Sequence, residues 1–174
     1  MSKLKTPVNS NDHIQGNTHA PIELVEYGDY QCPHCGHAYP IIKSIQKKLG
    51  NNLKFVFRNF PLAESHPNAV NAAVASEAAA LQNKFWEMHD HLFEHQNRLD
   101  DGALVNYATQ LHLNIKQFET DFEKPPLMQK VDADFESGVR SGVNGTPSFF
   151  VNGEKYNDSW DEDVFLEYLE SMLP

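Results

Sequence analysis

The stretch Ile22-Glu23-Leu24-Val25-Glu26-Tyr27, followed by Cys32-Pro33-His34-Cys35 and a helix-like run to Leu49, decides the fold. The first six residues are short and apolar, as a buried central strand is. Cys32 and Cys35 are the only two cysteines among 174 residues. Separated by two residues, they can close a small disulfide ring or share a metal, but a four-cysteine zinc site is impossible. A cysteine at a strand-to-helix turn sits at the positive end of a helix dipole, which favours its thiolate and makes it a nucleophile. The pair reads as a redox site.

Outward from this stretch, Pro40 falls inside the helix that starts near Cys32, where its lost hydrogen bond predicts a kink. Gly50-Asn51-Asn52 is the expected stop, and Leu53 to Phe60 reads as a second strand ended by Pro61. From Ala63 to about Gly142 the periodicity is helical. Ser65 is expected to cap a helix carrying Val70, Ala73, Val74, Ala78 and Leu81. Phe85, Met88, His89, Leu92 and Phe93 mark the next helix. Leu104, Tyr107, Ala108 and Leu111 mark a third, beginning near Asp100 or Asp101. Asn114 reads as the cap of a short piece with Gln117 at its third position. Pro125-Pro126 opens another helix, with Met128, Val131, Phe135 and Val139 predicted on one face.

After Gly142 the pattern returns to strands. Pro147 to Val151 and Glu154 to Tyr156 flank Asn152-Gly153, a two-residue hairpin signal. Ser159, with Glu162 three residues on, predicts a capping box for a last helix. The apolar face of that helix is Val164, Phe165, Tyr168, Leu169 and Met172. Strand, helix, strand, several helices, hairpin and closing helix make a small mixed sheet covered by helices.

Composition agrees with one globular domain, large enough to hold an inserted subdomain, at 40% hydrophobic and 11% aromatic residues. A net charge of −10 argues against nucleic acid or an anionic membrane as partner, since both select clustered Lys and Arg. No apolar run approaches the roughly 18–20 residues that span a bilayer. Met1 to Ala20 is polar and reads as an N-terminal extension. No apolar stretch follows Lys3 and Lys5, which at face value places the chain in the cytoplasm; a removed signal would place it outside.

Two segments carry a family resemblance. Cys32-Pro33-His34-Cys35 after the first strand and Gly145-Thr146-Pro147 before the hairpin resemble the bacterial DsbA-like thiol–disulfide oxidoreductases of the thioredoxin fold. Glu26 to Cys32 and Phe57 to Leu62 are similar to the same group. The resemblance implies an α/β thioredoxin-like domain, a central mixed sheet flanked by helices, formed by residues 21–62 and 143–174. Residues 63–142 would be a helical insertion, and residues 1–20 the extension. It also implies that Pro147 is a cis-proline facing the cysteines. Pro33, Thr146 and Pro147 would then border the edge where a substrate peptide adds as a strand.

The expected chemistry follows. Cys32, at the helix N-terminus, is the nucleophile, and Cys35, one turn inside, is its buried partner. Lowering a thiol pKa from about 8.5 to about 3.5 stabilises the reduced form by roughly 4.8 kcal/mol at pH 7, or about 100 mV. His34, if protonated, would supply part of this, and the Pro33-His34 dipeptide resembles the oxidising branch. By resemblance Glu26 matches a buried acid that moves the proton of Cys35. Its own residue type equally fits a strand-end carboxylate paired with a surface lysine. Lys54 and Arg58 are offset candidates for its basic partner. No cofactor or metal is expected, because the disulfide carries the two electrons. The expected partners are thiol- or disulfide-containing proteins and a redox recycling partner.

Other readings attach to the same residues. Cys32, His34, Cys35 and His37 could hold a metal only with a second protomer, because four ligands on one helix turn do not converge tetrahedrally. His91 and His95, spaced i,i+4 beside His89, invite a metal reading against that of a polar helix face. Phe85, Trp86 and Phe93 are core or a groove wall, and His37 and Tyr39 surface residues near the cysteines. Asp161-Glu162-Asp163 complements a helix dipole rather than binding calcium. Rival functions are a cytoplasmic disulfide reductase or isomerase and a glutathione-dependent transferase or isomerase. From a different class comes a peptide-binding chaperone or metal carrier.

Overall fold

The strands β1 (His13–Gly16), β2 (Ile22–Gly28), β3 (Leu53–Asn59), β4 (Ser148–Val151) and β5 (Glu154–Tyr156) form one sheet in the order β1-β3-β2-β4-β5. The computed structural model describes residues 1–174. β2 and β3 are parallel, joined through helix α1 (Pro33–Leu49); every other pairing is antiparallel. Helices α2 (Ala69–Ala80), α3 (Phe85–Glu94), α4 (Asp101–Gln110), α5 (Ile115–Phe122) and α6 (Pro125–Arg140) fall between β3 and β4, and α7 (Glu162–Glu170) closes the chain. This is a thioredoxin-like α/β fold.

Strand alternation sorts the sheet into two faces. Leu24, Phe55, Phe57, Phe149 and Val151 point to one face, where they join Ile42, Ile45 and Leu49 of α1 and Phe165 and Leu169 of α7. That cluster of 36 buried residues continues through α2, α3, α4, α5 and α6. Val25, Tyr27, Val56 and Phe150 point the other way, onto Phe60 and Val143, with Phe135 of α6 packed beside them. Each large side chain so buried contributes about 1.5–3 kcal/mol. α2 holds the helical layer together because its residues are small. Ala69, Ala72, Ala73, Ala75, Ala78 and Ala79 are all buried, and alanine combines high helix propensity with close approach of neighbours.

Several local expectations are corrected. Within Met1 to Ala20, read as a polar extension, His13–Gly16 is the edge strand β1, paired antiparallel to β3 and missing from the expected order of elements. Its anchor is Arg58, 2% exposed, whose guanidinium bonds Asp12 through Nε and Nη2 at 2.8 Å each. Nη1 reaches the Thr6 carbonyl and the Tyr27 hydroxyl at 2.8 Å, and Nη2 the Pro7 carbonyl at 3.2 Å, so all five donors are used. Gly16 turns the chain at φ +92°, where a Cβ would overlap the Leu53 carbonyl.

α1 extends past Pro40 to Leu49, as read. α2 starts after Asn68 rather than at Ser65, and Leu81 is 59% exposed. On α6 the inward face is Leu127, Val131, Asp134, Ser137 and Gly138, while Met128 and Val139 are exposed. Polar Asp134 and Ser137 are buried there because they bond the Asn59 N–H and the Tyr27 hydroxyl, which residue type alone does not announce. α7 is capped at Asp161, not Ser159, and the Glu162 carboxylate turns to Ser44 and Lys48 instead of closing a box. Val164 on the expected apolar face is exposed. The hairpin stands as read, with Asn152 and Gly153 at φ +49° and +83°.

Candidate active site

Cys32 is the N-cap of α1, in extended conformation at φ −69° and ψ 123°, and Pro33 occupies the first helical position. Pro33 has no N–H, so the free donors of the first turn begin at His34 and Cys35. Cys32 is 4% exposed and Cys35 fully buried, and both are free thiols. The Cys32 Sγ lies 3.6 Å from the Thr146 carbonyl, and the Thr146–Pro147 bond is cis. The β2–α1 turn and the loop before β4 therefore meet at one sulfur, although 114 residues separate them.

The two sulfurs are held in opposite states. Cys32 is lowered from 9.0 to about 5, chiefly by a hydrogen bond from Cys35; burial opposes this, while the Thr146 side chain and the backbone N–H groups of Cys35 and His34 add to it. The Thr146 hydroxyl is buried without another partner, which leaves it free to donate to the thiolate. Cys35 is pushed up by burial first, then by its bond to Cys32 and by the charges of Glu26 and Cys32; the Asp29 N–H, 3.5 Å from its Sγ, pulls the other way. A thiolate at a helix N-terminus beside a protonated inner thiol is the arrangement that thiol–disulfide exchange requires.

Glu26 is 2% exposed and its Oε1 has no hydrogen-bond partner. Burial, and then the Cys32 charge, raise its pKa from 4.5 to about 8. Its cross-strand neighbours are Phe57 and Phe149, so apolar side chains flank it. Neither basic candidate reaches it. Lys54 pairs with Glu23, and Arg58 with Asp12 and Tyr27, all on the opposite face of the sheet.

The remaining expected residues divide. The side chains of His34 and Pro33 are exposed, and the contribution of His34 to Cys32 is its backbone N–H. His37 is exposed beside Trp160, with ring centroids 5.6 Å apart, and the Tyr39 hydroxyl bonds Glu94. Phe85 and Phe93 are core, and Trp86 packs against it. His89 is buried on the Tyr30 hydroxyl at 2.9 Å, while His91 and His95 each turn Nδ1 back to the carbonyl four residues earlier. No group of three His, Cys, Asp or Glu side chains is arranged to hold a metal.

Asp29 was not anticipated. It is 1% exposed; Oδ1 accepts from the N–H groups of Gln31 at 2.7 Å and Cys32 at 3.2 Å. Oδ2 accepts from the Leu62 N–H at 2.9 Å and meets His66 Nδ1 at 2.7 Å. The local half of this brace was readable, because an aspartate bonding the N–H two residues on is an Asx turn. Leu62 and His66 come from the other end of β3 and carry no sequence signal.

This fold, with a Cys-X-X-Cys pair at the N-terminus of α1, defines a thioredoxin-like domain. The chain belongs to the thioredoxin family, whose model, described as Thioredoxin, matches residues 8–171. Among solved structures it is similar to oxidised BdbD from Bacillus subtilis, at TM-score 0.85 and 25% identity over 98% of this chain and 97% of that one. It is also similar in fold to α-DsbA1 of Wolbachia pipientis, at TM-score 0.85 and 21% identity over 97% and 94%. A curated relative is the Na(+)/H(+) antiporter NhaA 1 of Mycolicibacterium vanbaalenii, 41% identical over 172 residues, which are 97% of this chain but 28% of that protein. The chain thus spans little more than a quarter of that relative, and none of its own helices is long and apolar enough to cross a membrane. The cytoplasmic residence expected from Met1 to Ala20 does not stand. The structures this chain matches are DsbA-type proteins, and DsbA is the oxidant of the bacterial periplasm.

Proposed function

We propose that the chain oxidises thiols of protein substrates in an extracytoplasmic compartment, with Cys32 as the exchanging sulfur. The observation that carries this reading is the ionisation of Cys32 near 5 beside a protonated, buried Cys35. A substrate thiolate attacks Sγ of Cys32 in the Cys32–Cys35 disulfide. A substrate–Cys32 disulfide forms, the Cys32–Cys35 bond breaks, and Cys35 leaves as a thiolate. Glu26, neutral near pH 7, gives Cys35 its proton. A second substrate thiolate then attacks the substrate sulfur and releases Cys32 as a stabilised thiolate. The substrate loses two electrons and two thiol protons; the enzyme gains the electrons and is reoxidised by a recycling partner. Thr146 and Pro147, with Asn157, Asp158 and Trp160, line a groove of about 330 Å³ beside this sulfur, where an extended substrate segment lies.

The magnitude sets how strong an oxidant this is. Thioredoxin's attacking cysteine ionises near 7, and its couple sits at about −270 mV. Ionisation near 5 stabilises the reduced form by about 2.3 kcal/mol more at pH 7, or about 50 mV. The couple is therefore expected near about −220 mV, short of the roughly −120 mV of DsbA. A glutathione titration of the Cys32–Cys35 pair measures it directly, and a midpoint at or below about −270 mV sinks the oxidising direction. Roles are tested separately. Cys35→Ala should accumulate mixed disulfides through Cys32, and trapping by Cys32→Ala but not by Cys35→Ala would reverse the assignment.

A further inference from the structure

Gln96 lies in the turn after α3, yet its side chain ends at the redox turn. Nε2 donates to the Tyr30 carbonyl at 2.8 Å and to the Cys32 carbonyl at 2.9 Å. A primary amide has two N–H bonds, and both are used. The Cys32 carbonyl also accepts the Gly36 N–H at 3.0 Å, so Gln96 fixes the peptide plane at which α1 begins. The amide oxygen lies over Gly36, where a Cβ would overlap it.

The platform that presents Gln96 is itself anchored. His89 of α3 meets the Tyr30 hydroxyl, Glu94 meets Tyr39 of α1, and the Tyr107 hydroxyl donates to the Arg98 carbonyl just beyond the turn. Phe93 packs between Tyr30 and Tyr39, with ring centroids 4.8 and 5.4 Å away. The amide therefore reaches the cysteines from a fixed support.

We propose that Gln96 is a positioning residue of the redox centre: by holding the carbonyls of Tyr30 and Cys32, it keeps the Cys32 sulfur against the N–H groups of His34 and Cys35 and against Thr146. Cys32 has no side-chain cap of its own and sits in extended backbone. Its sulfur depends on the turn for its orientation, because hydrogen bonds weaken steeply once misaligned. This rests on Cys32 as the reactive sulfur and is independent of the direction of electron flow.

Gln96→Ala and Gln96→Glu in the full chain test it, read by thiolate absorbance against pH and by equilibrium with glutathione. In Gln96→Ala the ionisation of Cys32 should rise by about half to one unit, moving the equilibrium about three- to tenfold toward the disulfide. Gln96→Glu should move both further, because a carboxylate then faces two carbonyls near the thiolate. Gly36→Ala pushes the amide aside, so it should act in the same direction alone and add nothing to Gln96→Ala. Asn97→Ala, one residue along the turn, should leave both readouts at wild type. Unchanged readouts in folded Gln96→Ala, or full additivity with Gly36→Ala, overturn the proposal. Should Gln96→Ala fail to fold, Gln96→Met keeps the volume without the donors and carries the same expectation. A wild-type potential at thioredoxin's level would overturn the oxidising direction alone, since these shifts are read against wild type.

Discussion

Glu26 shows at the scale of one residue how burial turns an ordinary carboxyl into a proton reservoir. Flanked by Phe57 and Phe149 and lacking a basic partner, it holds its proton up to about pH 8. Cys32 does the reverse, releasing a proton near pH 5 that an unfolded thiol keeps to about 9. The sign of each effect on stability follows. Between about pH 5 and 8 the folded state binds one proton more than the unfolded at Glu26, which lowers stability as pH rises. Over the same window it binds one fewer at Cys32, which raises stability. Glu26→Gln removes the first effect, so the reduced variant should gain about 1.4 kcal/mol per pH unit over this window. Urea unfolding at pH 5, 6, 7 and 8 measures this against wild type; a profile with the same slope as wild type would mean Glu26 does not hold the proton. The family resemblance pointed to Glu26, on the strand six residues before Cys32. The sequence could not exclude a lysine partner, because that depends on which face of the sheet each side chain takes.

At the scale of elements, β1 is the least legible part of the fold. His13–Gly16 has no run of β-branched residues, and its strand state is imposed by pairing with β3 and by the Asp12–Arg58 fork. Burial alone would drag the guanidinium pKa down, yet the hydrogen bonds and charge of Asp12, with Tyr27, hold it raised. Asp12→Ala would leave Arg58 buried and unpaired, at a cost of about 3–5 kcal/mol. The midpoint of urea unfolding should fall accordingly, and proteolysis should cut first before residue 20. A loss below about 1 kcal/mol would show the N-terminal segment to be dispensable to the sheet. α1 and the β4–β5 hairpin were legible, because Gly50 and Asn152-Gly153 supply the positive φ that their ends need. Helix faces were less so: α6 turns Asp134 and Ser137 inward where apolar spacing nominated Met128 and Val139.

At the scale of the whole molecule, the redox state and the fold are linked through Cys32. In the reduced protein the effects of Cys32 and Glu26 oppose one another between about pH 5 and 8, while His89, held neutral by burial, adds stability as pH rises through the lower part of that window. In the disulfide form Cys32 has no proton to release, so of these two effects only the burial of Glu26 remains. The stability of the reduced protein relative to the disulfide form should therefore rise by about 1.4 kcal/mol per pH unit from about pH 5. Parallel urea curves for the two forms across this range check this, and a difference that does not change with pH would contradict it. The sequence by itself determined the strand–turn–helix around Cys32, the place of Cys35 one turn further into that helix, and the element order, because these rest on short-range periodicity, capping and turn chemistry. Tertiary structure alone decided that Thr146, Asp29, Gln96 and a partnerless Glu26 converge on two sulfurs. Those residues are far apart in the chain or on faces that alternate with each residue, and only packing of the sheet against α1 and α3 gathers them around the cysteines.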